Sequence, residues 1–314
     1  MKESSKIYVA GHAGMVGSAV CRFLTSNGYS NVVTRTSAEL DLRIQSDVSA
    51  FFEKEKPDYV FVAAAKVGGI HANEVYPADF LYDNLMIASN VIHYSHSTNV
   101  KRLMFFGSSC MYPKYANQPI TEDQLLTGLL EPTNEPYAVA KIAGVKLCQT
   151  YKQQFGCDFL SIVPTNLFGL NDTYHPENGH VIPSLIRRLH DAKIEGIGAV
   201  CLWGTGTARR EFLFADDLAE ASVFLMNKEL IDDEVYNIGT GKDMTIAELA
   251  ALIAEVVGYR GVIEWDSKKS DGTPRKLLDV SKLRDLGWVS STPLRKGLEL
   301  AYSDFQKKIE LNIS

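Results

Sequence analysis

The order of apolar and polar positions predicts alternating strands and helices through the first half of the chain. Short, continuously apolar runs predict strands at 7–10, 31–34, 59–63, 102–106 and 159–163. Longer amphipathic segments between them predict helices at 16–27, 47–55, 83–98 and 137–155. Strands that are apolar on both faces and separated by helices are typical of a parallel sheet covered on both sides. We therefore predict a doubly wound α/β domain over residues 1–166.

The pattern loosens after residue 166. It predicts helices at 180–193, 216–227 and 245–257 and short strands at 200–203 and 236–238. The last helix opens with Thr245-Ile-Ala-Glu248, which has the spacing of a capping box. Segments near 214–240 are expected to return to the first domain. Residues 167–213 and 241–314 are expected to form a smaller, interleaved α/β lobe that binds the substrate.

Composition narrows the class of protein. The 314 residues are 46% hydrophobic and 22% charged, which is ordinary for a soluble globular protein. A net charge of −6 argues against nonspecific nucleic-acid binding, which needs a basic face. The five scattered cysteines include no Cys-x-x-Cys pair, so no metal site is predicted. Without a signal-peptide core or a run near the ~20 apolar residues of a membrane span, we expect a cytoplasmic protein that does not bind membranes.

A glycine-rich turn follows the first predicted strand and opens the first predicted helix. It reads Gly11-His-Ala-Gly14-Met15-Val16-Gly17, one residue off the commonest Rossmann spacing. Glycines here permit a tight turn and let backbone N–H groups approach a pyrophosphate at the helix N-terminus. The turn therefore predicts a dinucleotide site at Gly11, Gly14, Met15, Val16 and Gly17.

The end of the second strand indicates which dinucleotide is bound. An NAD site usually carries an acidic residue there, whereas this chain has Arg35. Arginine suits a 2′-phosphate, so NADP(H) is favoured over NAD; the alternative is a solvated surface arginine. Asp41, in the loop that follows, could accept a hydrogen bond from the adenine amine or cap the helix predicted at 47.

The candidate chemistry lies at Tyr137 and Lys141, which are i and i+4 on one face of a predicted helix. An ammonium beside a phenol is expected to lower the pKa of the phenol. Ser108 follows the fourth strand, at the sheet edge where ligands bind in doubly wound folds. These three residues predict proton transfer at a carbonyl or alcohol oxygen. Cys110, two residues beyond Ser108, would add a chemically different acid/base group.

Taken together, the glycine turn, Ser108 and the Tyr137–Lys141 pair resemble the extended short-chain dehydrogenase/reductases. The segments 210–212, 216–218 and 237–241 resemble later landmarks of that family's nucleotide-sugar branch. Longer blocks are similar to the members that epimerise and reduce GDP-linked 4-keto-6-deoxy sugars, at 63–70, 107–110, 131–137, 164–166, 180–183 and 271–276.

The resemblance implies a bifunctional enzyme that uses NADPH. Cys110 and His180 would exchange protons at carbons 3 and 5 of the sugar. Ser108 and Tyr137 would bind the carbon-4 oxygen, and Tyr137 would donate the proton when the carbonyl is reduced. Outside this resemblance, Cys110 alone fits a small buried side chain, and His180 alone fits a helix N-terminus or the surface.

Further contacts are implied by the same resemblance. Lys141, Asn166 and His180 would line the nicotinamide end of the cofactor site. Ser108 is preferred to Ser109 because the family's serine stands four residues before a tyrosine, here Tyr112.

The resemblance also implies a GDP-sugar site at Arg188, Trp203, Arg210 and Asp271. Arginine binds a diphosphate through paired hydrogen bonds, and tryptophan could stack on guanine or the sugar, although it could equally be core. Arg187 and Arg209 adjoin the two arginines, so the register stays open at both positions.

Two alternative functions remain open beside the bifunctional enzyme. A 4-epimerase or 4,6-dehydratase would recycle bound NAD, and a non-catalytic relative would only sense a dinucleotide. The family often has an arginine where this chain has Ala13, which leaves Arg35 as the main candidate for the 2′-phosphate. The resemblance also implies a homodimer formed through the helices near 84–98 and 137–155.

Overall fold

The computed structural model describes residues 1–175, 179–229, 235–269 and 271–311, except for the side chains at 70 and 71. The predicted return segment 214–240 and the resemblance block 63–70 therefore lie partly outside the described residues. Within the described residues, no helix combines the length and hydropathy of a membrane span.

The described strands are β1 (Ile7–Ala10), β2 (Val32–Val33), β3 (Tyr59–Val62), β4 (Arg102–Phe106), β5 (Phe159–Pro164), β6 (Asn166–Phe168), β7 (Ala199–Trp203), β8 (Arg209–Phe214), β9 (Val235–Ile238), β10 (Asp243–Thr245), β11 (Val262–Asp266) and β12 (Arg275–Lys276). The helices are α1 (Met15–Ser26), α2 (Gln45–Glu55), α3 (Ile70–Val75), α4 (Pro77–Ser97), α5 (Glu135–Phe155), α6 (Val181–Glu195), α7 (Ala215–Asn227), α8 (Ile246–Val257), α9 (Ser281–Asp285) and α10 (Leu294–Glu310).

A six-stranded parallel sheet forms the centre of the fold, in the order β2-β1-β3-β4-β5-β9. The predicted doubly wound fold is confirmed. The chain runs outward from β1 to β2 and then crosses to β3 on the other side of β1. At such a switch point a crevice opens outside the carboxyl ends of the strands, and ligands bind there.

Two apolar layers cover the sheet, one on each face. Helices α2, α4 and α5 contribute to one layer, whereas α1, α7 and α9 contribute to the other. A third apolar cluster joins α6, α8 and α10 beneath the strands that follow residue 166. These later strands form a sheet of β10-β8-β12, with β6 beside β8, and a separate β7–β11 pair.

Several boundaries differ from the sequence prediction. Helix α4 begins at Pro77 rather than residue 83, because proline suits the first turn of a helix. Helix α2 begins at Gln45 with Ile44 as its N-cap, so the prediction that Asp41 caps this helix is wrong. The elements that were not predicted are strands β6, β8, β10, β11 and β12 and helices α3, α9 and α10. The capping box of Thr245 and Glu248 is confirmed.

Candidate active site

The turn from β1 into α1 has the geometry of a phosphate cradle. Gly11 has φ +84°, and a Cβ there would lie 2.6 Å from the Ala64 main chain at the end of β3. A Cβ at Gly17 would lie 2.1 Å from the Gly11 carbonyl oxygen. Gly14 is the N-cap and no side chain caps the helix, which leaves the N–H groups at its start to bind an anion. These residues fit the pyrophosphate of a dinucleotide.

Arg35 stands just beyond β2 but is already engaged. Its Nη2 donates to Glu55 Oε1 at 2.7 Å, and its guanidinium lies 5.5 Å from the centre of the Phe51 ring. Its side chain is about one-third exposed, so Arg35 is partly solvated and ion-paired within the fold. Recognition of a 2′-phosphate by Arg35 stays a prediction, and Glu55 would compete for the same guanidinium.

Asp41 forms a compact ion pair in the loop before α2. Its carboxylate accepts hydrogen bonds from Arg43 Nε at 2.9 Å and Nη2 at 2.7 Å. These hydrogen bonds lower the pKa of Asp41. The carboxylate is thus ionised at neutral pH, as an acceptor for the adenine amine must be, although Arg43 occupies much of it.

Ser108 caps the single helical turn that follows β4. Its Oγ accepts from the backbone N–H of Cys110 at 3.3 Å. A hydrogen bond also joins Ser108 to Tyr137, while the neighbouring Ser109 is only 4% exposed. The geometry therefore favours Ser108 over Ser109 as the serine that reaches a ligand.

Lys141 lies buried one helical turn beyond Tyr137. Its Nζ donates to the Phe106 carbonyl at 2.8 Å and lies 5.9 Å from the centre of the Tyr137 ring. Burial lowers the pKa of Lys141 to about 7. Burial also raises the pKa of Tyr137, with the nearby Cys110 adding to the rise and the Ser108 hydrogen bond opposing it.

The predicted lowering of the pKa of Tyr137 is therefore wrong, because in this site the effect of burial outweighs that of Lys141. Because Lys141 is desolvated, it loses part of its charge near neutral pH, and burial dominates the phenol. Tyr137 is accordingly held protonated, which is the state that a proton donor needs.

Two residues without a predicted role contact the Cys110 thiol. Asn134 Nδ2 donates to its Sγ at 3.3 Å, and Lys276 Nζ lies 3.9 Å from it. Together with Glu131 and Thr273, Cys110 and Lys276 line a cleft beside the end of β4. Asn134 and Lys276 both fall in blocks that carried the family resemblance, which was the available signal.

The two adjacent arginines of β8 have different partners. Arg209 is ion-paired with Asp243 at 3.0 Å. Arg210 is half-buried, and desolvation lowers its pKa against opposing interactions with Cys110, Asp271 and Glu131. The geometry favours Arg210 over Arg209 as the residue that faces the cleft.

The two adjacent arginines of α6 also differ in their contacts. Arg187 Nε donates to Asp191 Oδ2 at 2.8 Å, which commits Arg187 to its own helix surface. Arg188 follows it and is partly exposed. The contrast favours Arg188 as the residue that binds a ligand.

Trp203 and Asp271 stand around the loop after β7. Trp203 is 64% exposed, with Lys269 Nζ 5.2 Å from its ring, so the alternative that it belongs to the core is wrong. Asp271 accepts from the Thr205 N–H and Oγ, both at 2.7 Å, and these hydrogen bonds lower its pKa. Its carboxylate is therefore occupied in holding this loop.

The last two predicted site residues, His180 and Asn166, lie where α6 and β6 begin. His180 is the N-cap of α6 and is exposed, yet the surrounding protein desolvates its ring enough to lower its pKa. No hydrogen bond between described residues joins it to Cys110 or Tyr137. Asn166 begins β6, where its Nδ2 donates to the Glu211 main-chain oxygen at 2.8 Å.

The doubly wound sheet, the phosphate cradle and the Ser108, Tyr137 and Lys141 constellation define an extended short-chain dehydrogenase/reductase. A model of the NAD dependent epimerase/dehydratase family matches residues 7–239, and the chain belongs to that family.

Similar proteins include GDP-L-fucose synthase 1 of Arabidopsis thaliana, which is 56% identical over 98% of this chain and 95% of its own length. GDP-L-fucose synthase of Escherichia coli (strain K12) is 51% identical over 96% of both chains. A crystal structure of a GDP-L-fucose synthetase from Naegleria fowleri bound to NADP superposes with a TM-score of 0.92 at 26% identity, covering 100% of this chain and 98% of that one.

Proposed function

We propose that this protein makes GDP-L-fucose from GDP-4-keto-6-deoxy-D-mannose, using NADPH, by 3,5-epimerisation followed by 4-keto reduction. The GDP-L-fucose synthases that are 56% and 51% identical to this chain support the overall conversion. The structural relative bound to NADP supports the cofactor. The observation that carries the bifunctional mechanism is the placement of Cys110 beside a protonated Tyr137 at the end of β4.

Reduction belongs to the Tyr137 side of the site. When bound along the glycine turn, NADPH supplies hydride. Ser108 and Tyr137 hydrogen-bond the carbon-4 oxygen, and Tyr137 donates the proton that completes the alcohol. Lys141 stabilises the phenolate left behind, because a nearby negative charge favours its protonated form.

Epimerisation belongs to the Cys110 side. The carbon-4 carbonyl acidifies the protons on carbons 3 and 5, and the same two hydroxyl groups stabilise the enolate oxygen. Cys110 and His180 exchange these protons from opposite faces, because a thiol and an imidazole, with ordinary pKa values of about 8.5 and 6.5, both transfer protons near neutral pH. Asn134 and Lys276 contact the Cys110 sulfur and so orient it toward the sugar.

The GDP moiety is bound by the cationic and aromatic residues around the later strands. Arg188 and Arg210 contact the diphosphate, and Trp203 stacks on the base or the sugar. Asp271 acts by fixing the loop that carries Trp203, since a carboxylate would repel a diphosphate directly.

We also propose the division of the chain into a cofactor domain, residues 1–166 with a return near 214–240, and a substrate lobe, residues 167–213 and 241–314. The proposed state is a cytoplasmic homodimer formed through α4 and α5, with no nucleic-acid or membrane partner. Helices α4 and α5 pack against each other within the chain and so form one continuous surface, and its assignment as the dimer interface rests on the resemblance.

The experiment is to add GDP-4-keto-6-deoxy-D-mannose and NADPH to the purified protein and follow NADPH absorbance, with the sugar product identified by NMR. NADPH oxidation with formation of GDP-L-fucose is expected. A different sugar product, formed without net NADPH oxidation, would instead support an enzyme that recycles bound NAD. Neither product nor oxidation, with dinucleotide still bound, would support a non-catalytic sensor.

A further inference from the structure

A fully buried carboxylate lies directly beside the proposed diphosphate contact. Glu211 follows Arg210 on β8 and is 0% exposed. Its Oε1 accepts from the N–H groups of Thr240 at 2.6 Å and Gly241 at 2.7 Å, and its Oε2 accepts from the Leu278 N–H at 3.0 Å. Three main-chain donors thus hold one side chain, which is the arrangement by which proteins satisfy a buried carboxylate.

The turn after β9 is shaped to receive this carboxylate. A Cβ at Gly239 would lie 2.2 Å from Glu211 Oε1, so a larger residue there would displace the side chain. Gly241 has φ +69°, a left-handed conformation that favours glycine, and its N–H and that of Thr240 both donate to the same Glu211 oxygen. The motif at 237–241, a family landmark without an assigned task, is therefore a carboxylate-binding turn.

Glu211 connects segments from both ends of the active site. Its main-chain oxygen accepts from Asn166 Nδ2 on the cofactor side. On the substrate side, its carboxylate accepts from Leu278, which lies two residues after Lys276. Lys276 pairs with Arg210 in the β8–β12 register, and its ammonium lies beside Cys110. Successive strand residues point to opposite faces, so anchoring Glu211 on one face fixes Arg210 on the other.

We propose that Glu211 is a positioning residue for the substrate half of the site, clamped by the turn at 237–241 so that Arg210 and Lys276 meet the GDP-sugar in register. This proposal rests on the proposed function. It assigns the turn a role in substrate binding, although no residue of the turn needs to touch the substrate.

The sharpest variant is Glu211→Gln, because it keeps the shape of the side chain. The amide presents its own N–H donors to backbone donors, so it cannot accept all three hydrogen bonds. We expect GDP affinity to fall about tenfold or more, since that corresponds to losing one or two net hydrogen bonds of positioning. NADPH affinity should change less than about twofold, because the glycine turn and α1 are untouched.

The test is calorimetric titration of GDP and, separately, of NADPH into the wild type and Glu211→Gln. Gly239→Ala attacks the same clamp from the other side and should give the same selective loss of GDP binding. Glu122→Gln is the matched control, since Glu122 also accepts an N–H from this turn, that of Asn237 at 2.9 Å, but its ion pair is with Lys282 rather than with a residue of β8. It should leave GDP affinity within about twofold of the wild type, because Glu122 holds neither Arg210 nor Lys276 in place.

A selective loss of GDP binding in both clamp variants supports the proposal. Equal weakening of GDP and NADPH, or unchanged GDP affinity, overturns it. If Glu211→Gln does not fold, Gly239→Ala alone decides between these outcomes. Failure of the proposed function is distinguished by the wild type, which would then bind both ligands without oxidising NADPH on the keto sugar.

Discussion

The cofactor end and the substrate end of this site are built in different ways. The cofactor end is a continuous stretch of main chain, Gly11 to Gly17. Its shape depends on glycine at positions 11 and 17, where a Cβ would clash with neighbouring main chain. The substrate end gathers polar side chains from distant segments: Asn134 reaches Cys110 from 24 residues away, and Lys276 does so from 166 residues away. One end recognises its ligand by close backbone approach, and the other by charge and proton transfer. Variants should therefore separate cofactor binding from chemistry.

The largest separation is expected for Tyr137→Phe. Removing the phenolic hydroxyl should lower kcat for NADPH oxidation by about 10²–10⁴-fold, the usual contribution of a general acid. NADPH affinity should be unchanged, because Tyr137 lies outside the glycine turn. Stopped-flow kinetics and a fluorescence titration of NADPH measure the two quantities. A variant that retains wild-type kcat would remove Tyr137 from the mechanism.

Cys110→Ser should divide the substrate end itself. Exchange of the carbon-3 and carbon-5 protons with deuterated solvent should fall by about 10²-fold or more, because a serine hydroxyl is a far weaker acid than a thiol. NADPH binding should stay intact. Proton NMR of the sugar measures the exchange, and Cys201→Ser, at an exposed thiol, is the control. Undiminished exchange in Cys110→Ser would contradict the assigned role.

Arg35→Ala probes the one part of the cofactor end that depends on charge. We expect NADPH affinity to fall about tenfold and NADH affinity to fall less than about twofold, because only NADPH carries a 2′-phosphate. Parallel titrations of the two dinucleotides measure the difference. Equal weakening would show that Arg35 serves Glu55 and the fold rather than the phosphate.

A separate expected effect, independent of ligand binding, is on stability as a function of pH. The pKa of Lys141 is about 7 in the folded protein, below its ordinary value of about 10.4. Between these values the unfolded chain binds more protons, so this residue makes the unliganded protein more stable as pH rises from about 7 to about 10. Lys141→Met should lose that rise. Urea unfolding at several pH values measures it, and identical pH slopes for both proteins would contradict the buried, weakly basic lysine.

Some strands could be predicted from the sequence because their neighbours did not need to be known. Strands β1 and β4 have the predicted bounds, since every residue in them is buried on one face or the other. Strand β12 has only two residues and exists through its pairing with β8. A pattern that short carries no period, so the sequence could not predict it.

The same contrast holds in the site. The glycine turn and the positions of Ser108 and Tyr137 were predictable because each adjoins a strand end or a helix start. The contact of Lys276 with Cys110 depends on β12 pairing in register with β8, which local pattern does not specify. The pKa of Lys141 was also missed, because its direction depends on how deeply the packed fold buries the ammonium.

The central claim is that one site both epimerises and reduces. Its most direct test is to run the reaction with GDP-4-keto-6-deoxy-D-mannose and unlabelled NADPH in D₂O buffer. The sugar product is then identified by NMR. We expect GDP-L-fucose that carries deuterium at carbons 3 and 5. Oxidation of NADPH to give a 4-reduced sugar of unchanged configuration, without deuterium at those carbons, would contradict it.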